Sequence, residues 1–377
     1  MKKNVLFVMR WPEEKGHMGD RVRASYEEVA KSLSARGIKC FISYPGPVNE
    51  KNPAEALWPL SLDCFNLRTI TNIVAIINVL RQNKIGIVFY IDPLRQWMAV
   101  AYFKLFNIKT VYYCRYGYPP TFEPVWLKQI LKWFYHRLNL WDSYIAISSH
   151  IKSCFLEREL IPTTKIMIVR NGLNPVEFSR HSSIEKPVEL QLLPSDAIVV
   201  LSVAQIRPEK RIDTFLAIAS KIINANLGLS IYFYHIGDGP DLNYYRAQSQ
   251  DNILQNRIYF LGKKLNVKEF MQHSDILLHT SEKEGICNVI GEAMLMGLPI
   301  VAANIGGNVE QVLNGVTGYL NPINDINSYA NVIAVLSKDV ELRKSMGMAG
   351  REKIIKDFSI NKQVNGLIVC IENLLKI

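Results

Sequence analysis

"EGICNVIGEAMLMGLPIVAANIGGNVE" occupies residues 284–310 and carries two glutamates eight apart, Glu284 and Glu292. The apolar run DILLHTS (275–281) before it reads as a strand, 286–297 as a helix stopped by Gly297, and PIVAAN (299–304) as the next strand. Gly285 lets a ligand approach the backbone where that helix begins. Free N–H groups and the positive end of the helix dipole favour a phosphate there. Glu284 then projects from the turn. Glu292 lies about 12 Å further along the axis and about 80° around it, by helical rise and pitch. Two acids so placed cannot share a proton. They suit the two ends of one long ligand, each accepting from hydroxyls, or they are a surface pair on an ordinary helix. Spacing alone leaves both open.

Outward from this stretch, short β-branched and aromatic runs alternate with amphipathic ones. The first half holds NVLFVM (4–9), IKCFISY (38–44), IGIVFYI (85–91), TVYYC (110–114), YIAIS (144–148) and KIMIV (165–169), with helical patterns such as 21–36 and 68–83 between them. Such alternation builds βαβ units around a parallel sheet. Strands that are apolar throughout fit a sheet covered on both faces. The pattern breaks over 173–196, which holds three prolines and reads as a linker. It restarts at 197–204, 230–237 and 257–262, and helical patterns at 325–336, 339–356 and 361–376 close the chain. The expected fold is α/β: two Rossmann-like, doubly wound domains facing a cleft. Their bounds are 1–180 and 181–360, with a C-terminal helix over 361–377 returning toward the first domain. Ligands in such sheets bind outside the carboxyl ends of the strands.

A length of 377 residues suits two cores, and 49% hydrophobic with 21% charged residues is ordinary for a folded protein. The apolar run at 4–9 is too short for a secretory leader and meets Arg10-Trp11-Pro12. No uncharged apolar stretch of about 20 residues suits a membrane span. The six cysteines form no CxxC pair and read as reduced thiols. The net charge of +10 is uneven: residues 1–180 hold 25 Lys and Arg against 14 Asp and Glu, the remainder 19 against 20. A basic half suggests an anionic lipid, a phosphorylated substrate or nucleic acid. No zinc-ligand spacing, RNP-like motif or basic tail supports nucleic acid. His235, on an apolar strand, reads as a core residue; His17 lies in a polar glycine loop. The segment 125–141 reads as a covering helix or as a membrane-surface helix.

Several stretches together resemble the retaining glycosyltransferases of family 4, which have the GT-B fold. Residues 284–292 resemble that family's EX7E motif, AQIRPEKRID (204–213) its phosphate-binding turn, HIGDGPDL (235–242) its second-strand loop and YFLGKK (259–264) its Phe-x-Gly element. NIGGNVEQVLNGVTGYL (304–320) resembles its Gly-Gly-x-x-Glu and Gly-x-x-Gly ending; AISSHIK and VRNGLNPVEF are similar to its interdomain approach. The resemblance implies that Lys210 contacts the donor diphosphate, Glu284 the donor sugar's hydroxyls and Glu292 the ribose. It implies that the backbone of Gly285, Ile286, Cys287, Asn288 and Val289 receives the β-phosphate, and that Gly262 and Lys263 lie by the base. Gly16 and Gly19 fall where a glycine loop of the acceptor-binding first domain faces the phosphates. Two positions depart from the pattern. Gln205 stands where the family usually has Arg, with Arg207 two residues on as its replacement. Tyr116, beside Arg115, stands where many members have His. The implied function is a retaining, hexosyltransferase-type enzyme that takes a nucleotide-diphosphate-sugar as substrate, without a metal or other cofactor. The expected acceptor is a glycan or lipid-linked molecule in surface polysaccharide or glycolipid synthesis. The expected location is cytoplasmic, peripheral on the anionic inner face of the membrane. A nucleotide-sugar epimerase of the same fold and a non-catalytic nucleotide-sugar-binding homologue are the alternatives.

Overall fold

The computed structural model describes residues 3–9, 17–44, 56–60, 70–91, 97–115, 141–159, 161–181, 183–250, 254 and 256–376. The chain divides into two units, Met1–Gly172 with Ile360–Ile377, and Leu173–Ser359. The exchange falls at Gly172 rather than at 180, because the Leu173 amide donates to Phe358 O (2.8 Å) and Leu173 bridges Ser359.

In chain order the first unit runs β1 (Asn4–Val8), α1 (His17–Ser34), β2 (Cys40–Ser43), β3 (Leu57–Pro59), α2 (Ile70–Gln82), β4 (Ile85–Ile91), α3 (Trp97–Leu105), β5 (Lys109–Cys114), β6 (Ser143–Ala146), α4 (Ser149–Glu159) and β7 (Ile166–Ile168). The second runs α5 (Val188–Gln191), β8 (Ile198–Val203), α6 (Ile212–Asn224), β9 (Ile231–Ile236), α7 (Leu242–Gln248), β10 (Ile258–Gly262), α8 (Val267–Gln272), β11 (Ile276–His279), α9 (Asn288–Leu295), β12 (Ile300–Ala303), α10 (Asn308–Gln311), β13 (Gly318–Asn321), α11 (Ile326–Lys338) and α12 (Val340–Asp357). Helix α13 (Ile360–Leu375) returns to the first unit.

Among the described residues the first sheet has the order β3-β2-β1-β4-β5-β6-β7 and the second β10-β9-β8-β11-β12-β13. Every named strand pair is parallel. All seven residues of β4 are buried, as a sheet covered on both faces requires. The order reverses between β1 and β4 and again between β8 and β11. At such a switch point two neighbouring loops leave the carboxyl edge in opposite directions and open a crevice.

Each sheet has its own core. Trp141 packs edge-on to Tyr90 and Tyr112 in the first, with Ile76, Ile77 and Leu80 of α2. Phe215, Phe233 and Phe260 centre the second. His235 belongs to that core: it is fully buried, tilted against Phe215 and Phe260, and burial pushes its pKa down to about 4. Trp141 is 2% exposed, so it offers nothing to a membrane surface. Trp126 and Trp133, with the rest of 125–140, lie outside the described residues. Helix α13 docks on the first unit, where Gln363 donates to Tyr113 Oη (3.1 Å) and accepts from the Gly172 amide (2.9 Å), and Glu372 pairs with Arg36. The 173–196 stretch is packed in part: Leu190 of α5 is fully buried and Tyr234 Oη donates to Glu189 O (3.1 Å).

Candidate functional site

The loops after β8 and β11 build the site at the second sheet's switch point. After β8 the chain reaches a 3-10 turn, Pro208–Lys210. Arg211 then takes a left-handed conformation (φ 51°, ψ 53°) that ends the turn and starts α6. A side chain rarely accepts that conformation without anchorage. The Arg211 guanidinium is held by Asp213 (3.1 Å), Asn324 (3.2 Å) and Glu282 (3.6 Å). The loop after β11 clamps the turn from the other side. Thr280 Oγ1 donates to Lys210 O (2.9 Å), and the Glu282 amide donates to Glu209 O (2.9 Å). Lys210 is thereby fixed facing Glu284, and its Nζ donates to Glu284 Oε1 at 2.6 Å.

Glu284 Oε1 has a second neighbour, His279 Nε2, at 3.0 Å. Both contacts fall on Oε1, and among the described residues Oε2 has no partner. Burial disfavours the charge on Glu284, yet His279 and Lys210 outweigh it and push its pKa down to about 2. Burial likewise disfavours imidazolium at His279, but the Cys287 sulfur and the Glu284 carboxylate outweigh it and raise the pKa. Lys210 is raised as well, because Glu284 and Cys287 overcome its desolvation. His279, Glu284 and Cys287 are the one His/Cys/acid trio among the described residues close enough to suggest a metal site. The sulfur lies 4.0 Å from Nδ1, whereas the carboxylate lies on Nε2. The two groups therefore flank opposite edges of one ring. This is a row of polar contacts, and the ring would have to turn before all three could face one ion.

Cys287 is the residue preceding α9, and its backbone is clamped by one side chain: Gln311 Oε1 accepts from its amide (3.0 Å) and Nε2 donates to its carbonyl (2.9 Å). The Cys287 amide, one of the five in the 285–289 backbone implied to receive a phosphate, is thus engaged by Gln311. The Gly-Gly loop has a steric cause. A Cβ on Gly307 would lie 1.9 Å from Gly285 O, and the Gly307 amide donates to Glu284 O (3.1 Å). Only a glycine lets this loop press on the Glu284-Gly285 backbone. Gly237 plays the same part opposite: its Cβ would lie 1.7 Å from Ala204 O, so the loops after β8 and β9 can touch.

The structure brings Lys210, Glu284 and the start of α9 together. Glu292 lies within α9 and is 5% exposed, which removes the surface-pair reading. Ile286 is buried, while Asn288 and Val289 are half-buried. Gln205, Arg207 and Lys263 are exposed; Lys264, next to Lys263, pairs with Glu189. Gly262 ends β10 with φ 74°, and its carbonyl accepts from the Gly237 amide (3.0 Å). Gly19 falls in the first turn of α1 rather than in a loop, because the helix begins at His17. Gly16 and Tyr116 lie outside the described residues, and Arg115 is buried. Sequence reasoning missed His279, Gln311 and Thr280. His279 and Thr280 sit in a run that reads simply as a strand, and Gln311 becomes relevant only once α10 is folded against α9.

The doubled Rossmann-like architecture is that of the GT-B glycosyltransferases. Superposition gives a TM-score of 0.82 with a glycosyltransferase from Rickettsia africae ESF-5, at 22% identity over 100% of this chain and 99% of that one. For Anabaena HepE in complex with UDP-glucose the TM-score is 0.75, at 19% identity over 99% and 100%. At such identities the likeness is one of fold. Residues 184–353 match the model for glycosyl transferases group 1 and residues 22–177 the model for glycosyltransferase family 4. The chain belongs to these glycosyltransferases. It is 29% identical to N-acetyl-alpha-D-glucosaminyl L-malate synthase of Bacillus anthracis over 54% of this chain and 52% of that protein. It is 29% identical to the UDP-Gal:alpha-D-GlcNAc-diphosphoundecaprenol alpha-1,3-galactosyltransferase of Escherichia coli over 59% and 57%. The matched stretches thus span a little over half the length of these relatives.

Proposed function

We propose that this chain transfers a sugar from a nucleotide-diphosphate-sugar to a glycan or lipid-linked acceptor, with retention of anomeric configuration, in the synthesis of a surface polysaccharide or glycolipid. The observation that carries the reading is the Lys210–Glu284 pair, 2.6 Å apart, beside the start of α9 at the switch point of the second sheet. A nucleotide-sugar needs one group for its diphosphate and another for its sugar, a few ångströms apart. Lys210 supplies the cation, and Oε2 of Glu284 accepts a sugar hydroxyl. As the glycosidic C–O bond breaks, the electron pair leaves on the β-phosphate. Lys210 and the positive end of the α9 dipole stabilise that charge where it develops. The acceptor oxygen then bonds the anomeric carbon on the face the diphosphate leaves, and its proton passes to the departing phosphate. Glu292, on the same helix, binds the ribose. The activities named for the two relatives above, one of them acting on a diphosphoundecaprenol acceptor, support this substrate class.

A thermal-shift screen of nucleotide-sugars, followed by nucleotide release with lipid-linked acceptors, tests the proposal. The expected result is stabilisation by one nucleotide family and acceptor-dependent release of the nucleoside diphosphate. Isomerised donor without acceptor would make the protein an epimerase. Binding with no turnover of any kind would leave a nucleotide-sugar-binding protein.

A further inference from the structure

Glu284 has two proton-bearing neighbours on one oxygen, Lys210 from the 208–210 turn and His279 from the end of β11. They differ in freedom. Lys210 has a long side chain that can follow a ligand. His279 is fixed in the sheet, where it pairs with Ala302 of β12, and its side chain is 3% exposed. A nucleoside diphosphate entering the site competes with Glu284 for the Lys210 ammonium. The Glu284 side chain is 12% exposed, and a carboxylate that loses its counter-charge at such a depth either protonates or reorients. The groups facing the imidazole are Glu284 on Nε2 and Cys287, from the residue preceding α9, on Nδ1; Lys210 reaches it through Glu284.

Resting on the transferase reading, we propose that His279 is a positioning residue: as an imidazolium it keeps Glu284 ionised and fixed, with Oε2 open to the donor sugar, while Lys210 turns to the diphosphate. The imidazole does not touch donor or acceptor. Its contribution is to make the sugar contact independent of where Lys210 points.

The test begins with histidine-labelled wild-type protein and ring 15N NMR at pH 7.5, free and saturated with UDP, with His279→Gln assigning the signal. Both ring nitrogens should carry protons in both states. Calorimetry should then find UDP affinity within about threefold of wild type in His279→Gln and His279→Leu. Turnover of the nucleotide-sugar returned by the screen should fall about 30- to 100-fold in His279→Leu and less in His279→Gln, the loss lying in kcat. A neutral ring in the UDP complex overturns the proposal. So does UDP affinity that falls in step with turnover, which marks a structural role, or a leucine variant with wild-type turnover. Should the leucine variant fail to fold, the wild-type NMR and the glutamine variant still decide. If wild-type protein binds no nucleoside diphosphate, the transferase reading fails, and ring protonation in the free protein still judges the His279–Glu284 charge pair.

Discussion

On the proposed mechanism Lys210 places an ammonium where a leaving diphosphate gains charge, so its loss acts mainly on the transition state. Lys210→Ala should lower turnover by about two to three orders of magnitude, measured in protein with wild-type melting; normal turnover would remove Lys210 from the mechanism. Glu284→Gln should impair sugar recognition and turnover, while Glu292→Gln should chiefly raise the donor KM, because a ribose contact serves ground and transition states alike. Calorimetry with free nucleoside diphosphate separates them. Weakening by the Glu284 variant alone would exchange the two roles. The same cluster predicts a pH dependence of stability. Glu284, depressed to about 2, contributes stability that is full above the ordinary glutamate pKa and is lost as pH falls from there through about 2. His279, raised to about 10, contributes stability that is full below the ordinary histidine pKa and is lost as pH rises from there through about 10. The melting temperature of wild type should therefore decline between about pH 7 and 10, and less so in His279→Gln; parallel curves would deny the pair a charge. The sequence singled out Lys210 and both glutamates, and the fold sets Lys210 on Glu284 with Glu292 further along α9, because motif spacing survives in one dimension. It hid His279, since a polar residue ending an apolar run looks the same whether its ring meets solvent or a carboxylate.

Helix α9 owes its position to its neighbours. Gln311 holds both polar groups of the Cys287 backbone; the carbonyl also accepts from the Gly291 amide (3.4 Å), so Gln311→Ala leaves the buried Cys287 amide unmet, at a cost of about 1–3 kcal/mol. Gly307→Ala acts on the backbone directly, for the new methyl lies 1.9 Å from Gly285 O and the two backbone segments must part. It should destabilise the fold by about 1–3 kcal/mol and weaken nucleotide binding together, whereas Gln311→Ala should spare more of the binding. Denaturant melts paired with UDP titration check this ordering. The long apolar strands and the amphipathic helices were legible from periodicity. The three residues of β3, the four of β13 and the four of α5 were not, because none lies in a longer β-branched or amphipathic run like those that mark the other elements, and each is held by tertiary contacts. The glycine loop was expected over residues 16–19, yet α1 already begins at His17. Helix starts are poorly marked where no capping residue announces them.

The basic first half bears on where the molecule works. Residues 1–180 carry 25 basic against 14 acidic side chains, and near an anionic leaflet each Lys or Arg contributes roughly 1 kcal/mol. The protein should co-sediment with anionic vesicles at low salt and leave them as the Debye length shrinks; protein that stays in the supernatant refutes the membrane attachment alone. Among the described residues no helix is long and apolar enough to cross a membrane. The passage of the chain between its units has a different implication. Leu173 and Ser359, the first and last residues of the second unit, lie side by side, joined through the Leu173 amide and Phe358 O at 2.8 Å. A module whose two ends meet can be cut out, transplanted or re-ended without drawing its termini across its own body. The fragment 173–359 should therefore melt cooperatively on its own, and recombination at this doorway would let a lineage trade its second unit like a cartridge while its first stays unchanged.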